Sequence, residues 1–313
     1  MKKLLTAAAL LTAACILTGC NKKDGKIRIG VIQLVEHPAL DKSYQGFVDG
    51  LAEAGYKDGE NIVIDYQNAQ AEQANCVTIA NKFINDRDDL IFAIATPAAQ
   101  AVANLTKKIP ILVTAVTDPE TAKLVKSNKK PETNVTGTSD LTPVAAQISL
   151  LKKLVPTAET VGLLYCSSEA NSIFQINIAK EACLANGLAF LEGSVSNSNE
   201  IQQVTQSLVG KVDAFYIPTD NMLAAGLANV AMVANNAKLP TICGEDGMVV
   251  SGGLATYGIN YYELGKLTAK QAVKIIEKEA TPATMPIEYL EKFDFTYNKD
   301  TAAAIGIEIP DNL

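Results

Sequence analysis

Hydroxyl side chains in the first half of the chain stand where an anion could bind. Thr96 and Thr117 each follow an apolar run of the kind that forms a buried strand. In Thr96-Pro97-Ala98-Ala99 a hydroxyl at the cap position precedes a proline, which is typical of a helix start. An amino acid's carboxylate could accept hydrogen bonds from the Thr96 hydroxyl and the amides of Ala98 and Ala99, aided by the helix dipole. Simple capping of the helix by Thr96 is the alternative.

Acidic and amide side chains follow the apolar runs of the second half. Asp220 and Asp246 come directly after such runs, so either could bind the ammonium group of a ligand. Open α/β sheets bind their ligands at these carboxyl ends of strands. For each acid the alternative is capping of the next helix. The further candidates at strand ends are Asp118, Ser168, Asn171, Thr219, Asn221 and Glu245.

The chain lacks the groups that most hydrolytic and cofactor-dependent enzymes need. His37, next to Glu36 after the first apolar run, is the one histidine of the sequence, so a multi-histidine zinc site cannot form. The GxGxxG and GxxxxGK[ST] motifs are absent. Paired acids could serve a glycosidase, but that chemistry needs a carboxyl separation that a sequence does not give. We therefore predict no catalytic residue, no metal and no cofactor. Glu36 is a candidate ligand-binding residue, and His37 is either solvated or lines the ligand.

The elements that must position these residues alternate between β-rich apolar runs and segments of helical period. This alternation predicts an α/β protein with parallel sheets, in two Rossmann-like lobes joined by a hinge. Strands are expected at 27–33, 62–66, 90–95 and 111–116, and again at 160–165, 189–195, 213–217, 241–243 and 253–257. The expected domains are a signal peptide at 1–19, a tether at 20–26, lobes at 27–138 and 139–295, and a tail at 296–313 packing near the hinge or on the first lobe.

The N-terminal sequence predicts export and membrane anchoring. Lys2 and Lys3 precede an apolar run that is too short for a spanning helix, and Leu17-Thr18-Gly19-Cys20 resembles the lipobox of bacterial lipoproteins. A plain secretory signal is the alternative. The formal net charge of −7 disfavours nucleic acid as a partner. The remaining mature cysteines form no CxxC pair and are expected to be buried, with a disulfide between Cys166 and Cys183 as the alternative.

Four blocks carry a family likeness: 95–101, 115–119, 137–143 and, most strongly, Gly253-Leu254-Ala255-Thr256-Tyr257-Gly258-Ile259-Asn260-Tyr261-Tyr262-Glu263-Leu264-Gly265. Together they resemble the tryptophan/tyrosine-type substrate-binding family of ABC transporters. The resemblance implies a type I periplasmic-binding fold. By this likeness the cleft would be lined by the blocks around Gln33, Thr96, Thr117, Asp118, Asp140, Asp220 and Tyr257.

The function that the resemblance implies is capture of a small solute outside the cytoplasm. The protein would be a monomeric lipoprotein that delivers the solute, an amino acid and by preference an aromatic one, to a permease with a separate ATPase. Three alternatives stay open: a receptor for a nucleoside, sugar or signal in a sensory role, the effector domain of a regulator on the same fold, and an extracytoplasmic enzyme.

We expect Cys20 to carry the lipid after removal of residues 1–19. Cys20→Ser should move the protein from the membrane fraction into the soluble fraction, because acyl-chain insertion supplies the anchoring. Fractionation followed by mass spectrometry of the mature N-terminus checks this, with Cys76→Ser, at a cysteine that is expected to be buried, as the control. An unmodified Cys20, or cleavage elsewhere, would contradict the prediction.

Overall fold

The computed structural model describes residues 25–310 and residue 313. The expected signal peptide, Cys20 and most of the expected tether lie outside these residues. Within the described part, no helix is both long enough and apolar enough to cross a membrane.

Strands and helices alternate along almost the whole described chain. The strands are β1 (Ile27–Gln33), β2 (Ile62–Asn68), β3 (Leu90–Ile94), β4 (Ile111–Thr114), β5 (Val135–Ser139), β6 (Thr160–Cys166), β7 (Ala189–Val195), β8 (Ala214–Ile217), β9 (Thr241–Cys243), β10 (Ala255–Gly258), β11 (Glu288–Tyr289) and β12 (Asp294–Tyr297). The helices are α1 (Pro38–Glu53), α2 (Gln73–Asp86), α3 (Thr96–Leu105), α4 (Val144–Leu154), α5 (Ala170–Ala185), α6 (Ile201–Leu208), α7 (Asn221–Ala225), α8 (Leu227–Asn236), α9 (Asp246–Val250), α10 (Tyr261–Ile276) and α11 (Lys299–Ile305). Short 3-10 turns occur at Ser198–Glu200 and Pro282–Thr284.

The strands form two six-stranded sheets, which confirms the expected two-lobed α/β fold. The first sheet has the order β11-β5-β4-β3-β1-β2 and the second β12-β10-β9-β8-β6-β7. All pairings are parallel except that of β10 with β12, which is antiparallel. The central strands β3, β4, β8 and β9 are buried along their whole length, because helices cover both faces of each sheet.

Within the described residues the chain crosses between the lobes three times. Residues 140–143 lead from β5 of the first sheet to α4 on the second, and residues 259–260 lead from β10 back to α10 on the first. Residues 290–293 join β11 of the first sheet to β12 of the second. The hinge is therefore built from three short segments.

The lobe boundaries differ from those expected from the sequence. The expected second lobe, 139–295, contains α10, yet Tyr261, Leu264 and Ala272 of this helix belong to the core of the first lobe. The tail at 296–313 does not pack on the first lobe, since Ala302 and Ile305 belong to the core of the second. Helical periodicity shows that α10 has an apolar face, but it does not reveal which sheet that face covers.

Two glycines let α10 lie against α1 at close range. A Cβ atom at Gly46 of α1 would stand 2.0 Å from the carbonyl oxygen of Tyr262, and one at Gly265 of α10 would stand 2.0 Å from the carbonyl oxygen of Ser43. The glycines thus face the partner backbone reciprocally, and this contact fixes α10 on the first lobe.

Two smaller features depend on local packing. The helical segment from Asn221 to Asn236 is divided at Gly226 into α7 and α8, and a Cβ atom at Gly226 would stand 2.4 Å from the side chain of Ile201. Cys76, Cys166, Cys183 and Cys243 are buried free thiols, as expected, so the structure does not contain the alternative Cys166–Cys183 disulfide.

Gly265→Ala should lower the free energy of unfolding by about 1–3 kcal/mol, because the added methyl group forces α10 away from the α1 backbone. Urea denaturation measures this loss. Gly258→Ala is the matched control, since its nearest atoms would lie at an ordinary contact distance of 3.5 Å. Equal losses in the two variants would contradict the close-packing explanation.

Candidate functional site

The carboxyl ends of the strands of both sheets face a cleft between the lobes. An inner cavity is lined by residues from both lobes, among them His37, Asp140, Asn221, Glu245 and Tyr261. An outer cavity lies on the other side of Asn221 and is lined by Leu34, Pro97, Gln100, Ser168, Glu169 and Met222, among others. The lobes are therefore closed on each other over a divided cleft.

Asp140 is the acid of the inner cavity that has a carboxylate oxygen without a hydrogen-bonding partner. It directly follows β5, and its Oδ2 accepts a hydrogen bond of 2.8 Å from the Tyr261 hydroxyl. Its Oδ1 is buried without a partner. Burial raises the pKa of Asp140 to about 6. The hydrogen bond from Tyr261 opposes this rise, as does the nearby Thr117 hydroxyl, which does not have hydrogen-bond geometry to Oδ1. This carboxylate can accept a hydrogen bond from a cationic ligand group.

The other cavity acids are engaged by the protein itself. Asp220 caps α7, with Oδ1 accepting from the Leu223 amide and Oδ2 from the Cys166 amide. Glu245 caps α9 and accepts from the amides of Gly247 and Met248. Burial raises the pKa of Glu245 to about 8. For these two acids the structure bears out the capping alternative.

Asp246 forms an ion pair across the cleft. Its Oδ2 lies 2.9 Å from Nζ of Lys42, which is on α1 of the first lobe. Both side chains are partly exposed, at 46% for Lys42 and 25% for Asp246. Because the partners come from different lobes, this ion pair exists only when the lobes are together.

Thr96 does not cap a helix with its side chain. The helix α3 begins at Thr96 itself, and its cap residue is Ala95, with φ 85°. The Thr96 hydroxyl is buried without a partner. The sequence suggests the Ala99 amide as a donor to the ligand, but this amide donates to the carbonyl of Ala95. The amide of Ala98 is in the first turn of the helix, where amides have no acceptor within the helix.

Ala95 and Ala115 have strained backbones on neighbouring strands. Ala95 has φ 85° and Ala115 has φ 52°, and each comes directly after its strand, β3 or β4. Non-glycine residues rarely adopt positive φ, and such strain is concentrated at functional sites. The backbone at this part of the cleft is therefore held in an unfavourable conformation, as is common at binding sites.

A cluster of buried polar side chains joins the lobes next to the cavities. The hydroxyl groups of Thr117 and Thr219 lie 3.3 Å apart, and Gln175 donates to both, at 3.2 Å and 2.7 Å respectively. Asn171 donates to the Thr219 carbonyl. Gln175 was not anticipated, because an amide in the interior of α5 looks like any solvated helix residue in the sequence.

Several expected site residues have other roles in this structure. Tyr257 packs against Phe295, with ring centroids 5.6 Å apart, in the core of the second lobe. Asp118 accepts from the Thr121 amide and the Asn128 side chain in its own loop. Gln33 is buried and donates to the Val35 carbonyl and to Asp41. Glu36 is exposed.

Two further polar residues line the inner cavity: Tyr261, which was not a sequence candidate, and His37, which the sequence left as either solvated or ligand-lining. Tyr261 holds Asp140 from the start of α10, and the sequence offered no signal that this helix would return to the first lobe. His37 is buried, with both ring nitrogens lacking a partner. Burial lowers its pKa to about 4, with the Asn221 side chain opposing this shift, so the ring is neutral at physiological pH. In the sequence, the position of His37 shortly after β1 was the feature that indicated a place in the cleft.

The residues that the structure describes contain no group of acidic, cysteine and histidine side chains that could hold a metal ion. Two α/β lobes that close on a polar cleft, with three crossing segments, define a solute receptor of the periplasmic-binding type. The family model for the ABC transporter substrate binding protein matches residues 28–313, and the chain belongs to this family. It is therefore an extracytoplasmic protein that binds a small molecule and acts with an ABC transporter.

Three relatives are similar over nearly the whole chain. A tyrosine-binding protein of Clostridioides difficile (strain R20291) is 41% identical, over 98% of this chain and 93% of its own length. An ABC domain in complex with L-Trp from Streptococcus pneumonia is 40% identical, with a TM-score of 0.88 over 91% of this chain and 96% of that one. A ligand-free, open substrate-binding protein with adhesive properties from Clostridium difficile is 48% identical, with a TM-score of 0.70 over 91% of this chain and 97% of that one.

The arrangement of the lobes resembles that of the ligand-bound relative. The TM-score is higher with the L-Trp complex than with the open, ligand-free structure, although the open structure has the higher sequence identity. The contacts of Thr117 with Thr219 and of Lys42 with Asp246, which both span the cleft, agree with a closed arrangement.

Lys42→Met should favour the open arrangement, because it removes the ion pair that spans the cleft. Partly exposed pairs contribute about 0.2–1 kcal/mol, so we expect the dissociation constant for the ligand to rise by up to about fivefold at low salt. Asp246→Asn should have the same effect, and the double variant should not add to it. Calorimetry at low and high salt measures these changes.

Lys266→Met is the control, because Lys266 pairs with Glu53 at 2.8 Å and that pair joins α10 to α1 within the first lobe. A similar loss of affinity in this variant, or a loss in Lys42→Met that high salt leaves unchanged, would show that the interlobe pair is not responsible.

Proposed function

We propose that this receptor captures a zwitterionic amino acid with an aromatic side chain and delivers it to a permease driven by a separate ATPase. The observation that carries this proposal is the unpartnered Oδ1 of Asp140 in the closed inner cavity. A buried carboxylate oxygen without a cationic or hydrogen-bonding partner is costly, and a ligand ammonium group removes that cost.

Asp140 takes the role that the sequence suggested for Asp220 or Asp246. Both oxygens of Asp220 already accept backbone hydrogen bonds, and one oxygen of Asp246 is paired with Lys42. An ammonium group at Asp220 would compete with these contacts. Asp246 has a buried Oδ1 without a partner, but it does not line the inner cavity. At Asp140 an ammonium group would instead complete a carboxylate whose other oxygen is held by Tyr261.

The carboxylate of the ligand binds near Thr96 in this proposal. The hydroxyl of Thr96 is buried and unpartnered, and it stands in the first turn of α3, where the helix dipole favours an anion. The Ala98 amide is a second donor. Thr117 already contacts Thr219 and Gln175, so its part is to hold the lobes together beside the ligand.

With the lobes closed the inner cavity has a volume of only about 10 Å³, so an aromatic side chain would contact its apolar wall only after the lobes have separated. Leu40, Ala115, Ala224 and Met248 supply apolar surface, and the unbranched Met248 side chain can adapt to rings of different size. The relatives named above as tyrosine-binding or as bound to L-Trp support this choice of ligand class. Ligand enters between separated lobes, which then close on it.

Anchoring through a lipid on Cys20 would keep the receptor beside its permease, and a monomer would suffice, because both walls of the cleft come from one chain. No catalytic step is included, since the cavity acids are engaged in capping or in binding the ligand.

Asp140→Asn should weaken amino-acid binding by roughly ten- to a hundredfold, since a hydrogen bond to a charged group contributes about 1.5–3 kcal/mol. Calorimetry with tyrosine, tryptophan, other amino acids, nucleosides and common sugars measures both affinity and ligand class. Asp118→Asn is the matched control, because Asp118 bonds within its own loop and should not affect affinity.

The same titrations give a second readout. With a pKa of about 6, Asp140 is partly protonated near that pH, and a bound ammonium group lowers the pKa, so binding should release protons. Affinity should therefore fall as the pH drops below about 6, and Asp140→Asn should lose that part of the proton release. Micromolar binding of a neutral sugar with no binding of any amino acid would contradict the proposal.

A further inference from the structure

Only two of the described residues that line the inner cavity carry buried polar atoms without a partner. One is Asp140, through Oδ1, and the other is His37, through both Nδ1 and Nε2. The other polar groups of the lining, such as the Asp220 and Glu245 carboxylates and the Tyr261 hydroxyl, all take part in hydrogen bonds within the protein. A ligand in this cavity therefore meets two unsatisfied groups of different chemistry.

The burial of His37 has no explanation in the architecture. It stands at the cap position of α1, but its side chain makes no capping hydrogen bond, and only its carbonyl contacts the helix, by accepting from the Asp41 amide. The residue is 7% exposed. The Asn221 side chain is close enough to His37 to oppose the lowering of its pKa, but neither ring nitrogen has a partner with hydrogen-bond geometry. Leaving a buried polar group unsatisfied costs about 1–3 kcal/mol, so the ring is suited to a hydrogen bond with a ligand.

The ring is neutral, which determines what it can recognise. Because burial lowers its pKa to about 4, His37 has one N–H donor and one unprotonated nitrogen as an acceptor. It is therefore suited to a neutral polar atom. A phenol hydroxyl can meet either nitrogen, and an indole N–H can meet the acceptor nitrogen.

His37 and Asp140 approach the cavity from separate parts of the first sheet. Asp140 follows β5 and His37 follows β1, and the sheet order β5-β4-β3-β1 puts three strand spacings between them. At about 4.8 Å a spacing, the two strand ends are roughly 14 Å apart. A ligand whose ammonium group is at Asp140 thus presents the far end of its side chain, rather than its backbone, to His37.

We propose that His37 is a specificity-determining residue, which forms a hydrogen bond with the polar atom of the ligand's aromatic ring. The inference rests on the proposed function, since it takes the ammonium group to be at Asp140 and the carboxylate at Thr96. Tyrosine and tryptophan satisfy the imidazole. Phenylalanine leaves it buried and unpaired, and a site built to hydrogen-bond its ligand rejects an analogue that lacks the polar atom.

The test compares tyrosine, tryptophan and phenylalanine on purified parent protein, His37→Leu and His37→Gln by calorimetry. In His37→Leu the dissociation constants for tyrosine and tryptophan should rise by about three- to tenfold, as expected for one neutral hydrogen bond. The constant for phenylalanine should stay the same or fall, so that the preference for polar rings is lost. His37→Gln, which retains a donor and an acceptor, should keep part of the preference.

Each outcome has a definite meaning. Equal losses for all three ligands in His37→Leu would assign His37 to the amino-acid backbone or to the fold, and would overturn the inference. An unchanged preference would overturn it as well. If the parent protein binds none of the three, the proposed function itself has failed, which is a separate result. The thermal unfolding midpoint of each ligand-free variant shows whether it is folded.

Discussion

The hydrogen bond from Tyr261 to Asp140 is the contact on which the arrangement of cleft and hinge depends. Asp140 begins the first crossing between the lobes, and Tyr261 directly follows the second. The bond therefore ties two of the three crossing segments together at the base of the cleft. It also directs one oxygen of the carboxylate into the cavity, where a ligand can reach it. Ligand binding at that oxygen would act directly on the part of the chain about which the lobes rotate.

The acids of the cleft separate into two groups according to what their oxygens contact. Asp220 and Glu245 stabilise helix starts in the second lobe, and their burial is compensated by backbone amides. Asp140 and Asp246 lie where the lobes meet, and one is held by a tyrosine while the other is held by a lysine of the opposite lobe. The first group keeps its contacts whether the lobes are open or closed, whereas the ion pair of Asp246 depends on closure. Sequence position alone does not distinguish the groups, because all four acids lie within three residues after the end of a strand.

The sequence predicted the fold well and the site only in part, and the difference has a physical origin. Strand and helix positions follow from local periodicity, so β1, β7 and β9 agree with the expected bounds residue by residue. The lobe to which α10 belongs depends on contacts between residues far apart, such as those of Gly46 with Tyr262, and periodicity contains no information about them. For the same reason Tyr261 and Gln175 were missed, while Tyr257 was expected in the cleft but packs in a core. Thr96 and Asp140 were foreseen as candidates, but only the structure shows that their oxygens lack partners.

The return of α10 and β11 to the first sheet makes that lobe discontinuous in the chain. Its last strand ends at Tyr289, after nearly all of the second lobe has been made. A growing or translocating chain thus cannot complete its first lobe while the second is still missing, and the α1 face that packs on α10 stays uncovered until then. Contacts of such large sequence separation slow folding, because a long loop must close before they form. The order in which the polypeptide emerges therefore delays the completed fold to the end of synthesis, a useful property for a chain that must pass through a membrane before it folds.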